Sequence, residues 1–91
     1  MQKNSGINIV YTARFLKSLK RLTPRIKDAP KAREQIFRNN PFDPRLKTHK
    51  LHGRFTGFRA YSVDYTYRVI FVFDREKRII YYDIGDHSLY D

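Results

Sequence analysis

Two periods divide the chain. Up to about residue 40 the apolar side chains fall at helical spacing after a short alternating start, and from residue 58 they recur at every second position. Ile7, Ile9 and Tyr11 alternate with Asn8 and Val10, which predicts an opening strand. Thr12 can then cap a helix running to about Leu22, with Phe15, Leu16, Leu19 and Leu22 as its apolar stripe and Arg14, Lys17, Lys20 and Arg21 behind it. Thr23-Pro24 reads as the cap and first position of a second helix, whose apolar side continues through Ile26, Ala29, Ile36 and Phe37. Pro30 lacks a donor and would crowd the carbonyl of Ile26, so that helix should either kink there or begin near Ala29. Asn39-Asn40-Pro41 ends it. Residues 41–57 form a connector, marked by Pro41, Pro44, Gly53 and Gly57 and charged by Arg45, Lys47, Lys50 and Arg54. Phe58 to Val63, Tyr67 to Phe73 and Arg78 to Ile84 are three strands, joined by links short enough for antiparallel hairpins. The expected fold is α+β: an N-terminal strand and two helices packed on one face of an antiparallel sheet meander.

Alternation sorts the strand residues by face. Phe58, Ala60, Tyr67, Val69, Phe71, Phe73, Ile80, Tyr82 and Ile84 are expected to meet the helices. Arg59, Tyr61, Val63, Arg68, Ile70, Val72, Ile79, Tyr81 and Asp83 are expected on an open, working face, with Arg68 either solvated or paired with Asp83 across the sheet.

Length and composition narrow the class. Ninety-one residues make one domain, 1–91, and leave no material for a second core. A 41% hydrophobic share with seven Phe and seven Tyr is too rich for a disordered chain, and no apolar run approaches the roughly 20 residues that cross a bilayer. The absence of cysteine excludes a disulfide framework and a thiolate zinc site. The start of the chain carries only a five-residue apolar stretch, too short for a signal peptide, so a cytoplasmic protein is expected. Charge changes the picture most. Residues 1–59 hold 15 basic and 3 acidic side chains, whereas residues 60–91 hold 4 and 6. The basic segment calls for a polyanion, nucleic acid first, or an acidic protein. A membrane surface fits poorly, because the aromatics lie mostly away from the lysine-rich stretch.

Three histidines, His49, His52 and His87, are the side chains whose ordinary pKa lies near neutrality, and His87 directly follows the last strand. Cleaving RNA without a metal needs a base for the 2′-hydroxyl proton, an acid for the leaving 5′-oxygen and cations for the charge building on the phosphate. His49 or His87, a tyrosine, and Arg68 with the lysines supply that set. The histidines lack the spacing and carboxylate neighbours of a metal site, and no phosphate loop or nucleophile elbow occurs, so neither metal nor cofactor is expected.

The same order of elements carries a set of short motifs: Phe42-Asp43-Pro44, Leu46-Lys47-Thr48-His49-Lys50-Leu51-His52-Gly53, Gly57-Phe58-Arg59, Tyr67-Arg68-Val69-Ile70-Phe71 and Asp83-Ile84-Gly85-Asp86-His87-Ser88-Leu89-Tyr90. Together they resemble the RelE/ParE superfamily of type II toxin-antitoxin toxins over nearly the whole chain, nearest its RelE and YafQ branches. The resemblance implies a ribosome-dependent mRNA interferase, an endoribonuclease that inhibits translation and is neutralised by a cognate acidic antitoxin. It places catalytic roles on His49, Arg68, His87 and Tyr90. Arg68 would stabilise the pentacoordinate phosphate, His49 and His87 would share acid and base work in either order, and Tyr90 would stack on a base. Lys47, Lys50, Arg54, Arg59 and Tyr61 are the residues expected to contact RNA. YafQ-like toxins carry a histidine where this chain has Ser62 and an Asp-Trp pair where it has Thr66-Tyr67. RelE-like toxins work with lysine, arginine and tyrosine, so Lys47, Lys50 and Tyr61 are the replacements here. Two rivals stand beside this reading: a non-catalytic ParE-like gyrase inhibitor, and a basic nucleic-acid-binding protein that performs no reaction.

Overall fold

A computed structural model describes residues 7–89 of the chain. Strand β1 (Asn8–Tyr11) leads into helices α1 (Ala13–Ile26) and α2 (Ala29–Asn39). A 3-10 turn at Pro44–Leu46, strand β2 (His49–Lys50) and a second 3-10 turn at Gly53–Phe55 make up the connector. The meander follows as β3 (Arg59–Ser62), β4 (Arg68–Phe73) and β5 (Arg78–Gly85), and a last 3-10 turn spans His87–Leu89. The strands form one sheet in the order β1-β5-β4-β3-β2. β1 lies parallel to β5 and the other neighbours are antiparallel, so the α+β architecture expected from the sequence is present.

Thr12 caps α1 as its position predicts. Its Oγ1 accepts from the Phe15 N–H at 3.0 Å, and its hydroxyl shares its proton between the carbonyls of Tyr81 at 2.8 Å and Tyr82 at 3.0 Å, tying the helix start to β5. Thr23-Pro24 does not open a second helix. α1 runs through it to Ile26, with the Thr23 hydroxyl donating to the Leu19 carbonyl at 2.7 Å. Pro24 sits in the final turn, where one lost backbone bond is tolerated, and Lys27 at φ 50° stops the helix. α2 starts at Ala29 with Pro30 in its first turn, where the missing N–H has no intrahelical partner to lose. Of the two expectations for Pro30, the later start holds. The edge strand β2 was not anticipated, because two residues are too few to show a period.

The face sorting needs correction. Val69 and Phe71 of β4 do meet the helices, packing with Phe15, Ile26 and Phe37. On β3, however, it is Tyr61 and Val63 that enter this core, and on β5 it is Ile79 and Tyr81, residues expected on the open face. Directly opposed residues share a face: Tyr61 opposes Val69, and Tyr81 opposes Phe71. A bulge then shifts the β4–β5 register, so that Ile70 opposes Asp83 while its neighbour Phe71 opposes Tyr81. Tyr82 and Asp83 consequently lie on the open side together, and Ile84 returns to the helix side.

Nor is the second face bare. Leu51, Ala60 and Ile70 form a smaller buried cluster on it, covered by Phe55 and Leu89 from the second and third 3-10 turns, by Phe58 just before β3 and by Tyr82 of β5. This double covering explains why β4 and β5 carry bulky apolar residues at odd and even positions alike. No helix among the described residues is long and apolar enough to cross a membrane.

Candidate functional site

Rows of opposed residues cross the open face. His49 opposes Ala60, Ala60 opposes Ile70, and Ile70 opposes Asp83. Two residues along the strands, Ser62 opposes Arg68 and Arg68 opposes Gly85. The sheet therefore sets His49 and Arg68 on one face in successive rows, and His87 begins the tail turn two residues beyond the partner of Arg68.

Each of these side chains has local support. The Nδ1–H of His49 donates to the Lys47 carbonyl at 3.0 Å, and in the neutral ring the lone pair then lies on Nε2. Lys47 itself is exposed and ends the first 3-10 turn at φ 54°. Arg68 does not pair with Asp83. Its Nη1 donates to the carbonyls of Asp64, Tyr65 and Tyr67 at 3.1, 3.2 and 3.2 Å, which fixes the guanidinium against the β3–β4 hairpin. The tail turn is closed by Asp86, whose Oδ1 accepts from the Ser88 hydroxyl at 2.6 Å and from the Ser88 N–H at 3.0 Å. These two bonds to the charged form hold the Asp86 carboxyl below the usual carboxylate range. His87 rides exposed on this turn. Tyr90 lies outside the described residues.

Three of the residues expected to contact RNA face elsewhere. Tyr61 is 1% exposed, and its hydroxyl is bonded to that of Tyr81 at 2.9 Å inside the core. Arg59 is on the helix side, its guanidinium over the rings of Phe73 at 5.3 Å and Phe42 at 5.7 Å. Lys50 opposes Arg59 and so takes that side as well. The error has one physical source: Arg59 and Tyr61, two residues apart on β3, share a face whichever side is buried, and only cross-strand register settles which it is.

Arg54 lines a cleft on the open face. A space of about 470 Å³ on the open face is bounded by Arg14, Arg54, Phe55, Ile70, Tyr82, Asp83, Ser88 and Leu89. The Arg14 guanidinium stands 5.1 Å above the Tyr82 ring, and that of Arg54 stands 5.3 Å from the Phe55 ring. Across the tail turn a second cleft, of about 400 Å³, is walled by Arg21, Arg25, Tyr67, Gly85, Asp86 and Ser88. Arg14, Arg21 and Arg25 all come from α1 at spacings of seven and four, which is one helix stripe. That spacing was the available signal for these three arginines. The sequence reading takes Arg14 and Arg21, with Lys17 and Lys20, as a surface for an acidic antitoxin and does not place them at the tail turn. No group of three or more His, Asp or Glu among the described residues is placed to hold a metal ion.

No protein-family model and no curated protein sequence matches the chain. Solved structures do. YafQ from E. coli strain BL21(DE3) superposes with a TM-score of 0.76 at 24% identity, over 91% of this chain and 96% of that one. A copper-bound mutant toxin from Helicobacter pylori gives 0.72 at 17% identity, over 93% and 99%. A YoeB/ParE toxin from Agrobacterium tumefaciens gives 0.71 at 15% identity, over 89% and 99%. Two helices laid on a mixed five-stranded sheet, with a basic connector and a short tail turn, are thus the RelE-like toxin fold that this chain shares with YafQ and its structural relatives.

Proposed function

We propose that this chain is the toxin of a type II toxin-antitoxin pair and that it cleaves ribosome-bound mRNA without a metal ion. The observation that carries the reading is the placement of His49 and Arg68 on one sheet face, with His87 on the turn that follows the strand paired to Arg68. YafQ, which has this fold, is found in a toxin-antitoxin complex with DinJ in E. coli.

In the reaction, one histidine takes the proton of the 2′-hydroxyl, the resulting oxygen attacks phosphorus, and the bond to the 5′-oxygen breaks as the other histidine protonates it. Arg68 holds the equatorial charge of the pentacoordinate phosphate. Its three carbonyl contacts position the guanidinium before substrate arrives, so little reorganisation accompanies the charge as it develops. Arg14 and Arg54 on one side of the tail, with Arg21 and Arg25 on the other, attract the flanking phosphates. Tyr90 stacks on a base next to the scissile step.

The test is cleavage of mRNA on translating ribosomes by the purified chain, stripped of metal with EDTA and freed of the chelator beforehand, with end-group analysis of the products. A 2′,3′-cyclic phosphate or 3′-phosphate is expected, with Arg68→Ala and His87→Ala each lowering the rate about a hundredfold or more while leaving the melting temperature within a few degrees. Products with a 3′-hydroxyl, or full activity in Arg68→Ala, would refute the mechanism. Absence of cleavage together with inhibition of gyrase would establish the ParE-like alternative.

A further inference from the structure

Asp83 is, among the described residues, the one acidic side chain that lines the open-face cleft. In a chain with a net charge of +10, it places a carboxylate, 6% exposed, in the wall of a cleft whose other charged residues are Arg14 and Arg54. Its described partners are few. Oδ1 accepts from the Ile84 N–H at 2.8 Å, and Oδ2 stands 3.9 Å from the Arg14 guanidinium, beyond hydrogen-bond distance. A carboxylate offers about four acceptor positions, so acceptor capacity remains on the side that faces the cleft. The bulge at Tyr82 and Asp83 produces this arrangement by turning two consecutive side chains to the same face. The cleft, at about 470 Å³, is large enough for a nucleotide. Arg14 on Tyr82 and Arg54 on Phe55 present cation-capped rings, surfaces on which a planar base stacks.

We propose that this cleft is a base-reading pocket for guanine, with Asp83 accepting from the base edge and Arg14 and Arg54 holding the base plane and its phosphate. It would serve the RNA-directed reading above by selecting a nucleotide beside the tail turn. Among the four bases, guanine alone presents two adjacent donors, N1–H and the 2-amino group, to a carboxylate. Uracil flanks its N3–H with two carbonyls, whereas adenine and cytosine set a ring acceptor beside the amino group. Each of those three brings a lone pair against Asp83. Arg14, 3.9 Å from Oδ2, balances the charge of the carboxylate without occupying its acceptor positions.

Equilibrium titration of the folded chain with the four nucleoside 5′-monophosphates, followed by shifts of the Tyr82, Asp83 and Ser88 resonances, tests this without requiring cleavage. Guanosine monophosphate should bind at least about tenfold more tightly than uridine monophosphate, the scale of one good bidentate contact. Asp83→Asn, which retains an acceptor for Ile84 and replaces a carboxylate oxygen by a donor, should remove that preference. Arg14→Gln should weaken all four nucleotides and preserve their order. Equal affinities in the wild type, or a guanine preference that survives in folded Asp83→Asn, would overturn the assignment. If Asp83→Asn does not fold, the wild-type comparison of the four nucleotides decides alone. Guanine preference without RNA cleavage would retain the pocket and remove the ribonuclease reading, and cleavage without guanine preference would do the reverse.

Discussion

Tyr61 and Tyr81 set out what a single residue type leaves undetermined. On a strand rich in cations a phenol suits an RNA-contacting face, yet both hydroxyls are enclosed by Phe37, Phe71 and Phe15 and bonded to each other at 2.9 Å. Burial pushes both well above the usual phenol pKa, since neither phenolate would be solvated there. A raised folded pKa means that this part of the stability is fully present below the ordinary phenol value of about 10 and is lost as the pH rises beyond it. Ultraviolet titration should therefore show two tyrosines that ionise only with unfolding. Tyr81→Phe leaves the Tyr61 hydroxyl without its partner and should cost about 1–3 kcal/mol in urea unfolding, with RNA cleavage unchanged. Loss of cleavage at full stability would return this pair to the site. The side of the sheet that Arg68 takes was legible where that of Tyr61 and Arg59 was not. On β4 the aromatics Phe71 and Phe73, with Tyr67 just before them, fall opposite Arg68 and mark the helix side, although Ile70 is buried too; within β3 one side offers Ala60 and the other Tyr61, and neither marks the core.

At the level of elements, the tail turn rests on Gly85. A Cβ there would come within 2.9 Å of both Cγ and Cδ1 of Leu89, the side chain that seals the open-face cluster. Gly85→Ala must displace the turn that carries His87. It should cost about 1–3 kcal/mol by overpacking and slow cleavage by about a hundredfold, because a shift of 1 Å at a reacting group is that expensive. Unchanged kcat would mean that the turn takes no part in the reaction. The Asp86 carboxyl, held low by the Ser88 hydroxyl and N–H, supports the same turn. A depressed folded pKa places that support fully above the unfolded value of about 3.9, to be lost as the pH falls through the folded one. The Ser88 amide resonance should hold from neutrality down to about pH 5 and move only under stronger acid. Helix α1 and the meander could be read directly, from Thr12 as a cap and from a period of two. The end of α1 could not, since Thr-Pro signals a start with equal force and only the packing of Ile26 into the core carries the helix past it. The bulge and the two-residue β2 depend on pairing partners distant in sequence, and local pattern holds no record of those.

The whole molecule separates its charge along the chain and brings it together in space. The segment that carries 15 basic side chains supplies both helices and the connector, and the acidic balance falls in the meander. α1 directs Arg14, Arg21 and Arg25 at the clefts on either side of the tail turn, which gathers positive charge near His87. An antitoxin that silences this face must offset the same field. It should be acidic, largely unfolded when free, and ordered on binding as an amphipathic helix or an added strand, with carboxylates along the arginines and apolar side chains as anchors. Charge then governs encounter and apolar burial governs residence. Raising salt from 50 to 500 mM should slow association about tenfold or more, as screening shortens the reach of the field to a few ångströms, and should change dissociation little. The paired change Lys17→Gln and Lys20→Gln, at two exposed positions of α1, should slow association in the same direction at low salt and flatten its salt dependence. Stopped-flow mixing with the protein encoded beside this reading frame measures both rates. An association rate indifferent to salt would mean that the basic segment meets something other than this partner, and a host that expresses the chain alone at high level with translation undisturbed would remove the toxin reading and leave a basic nucleic-acid-binding protein.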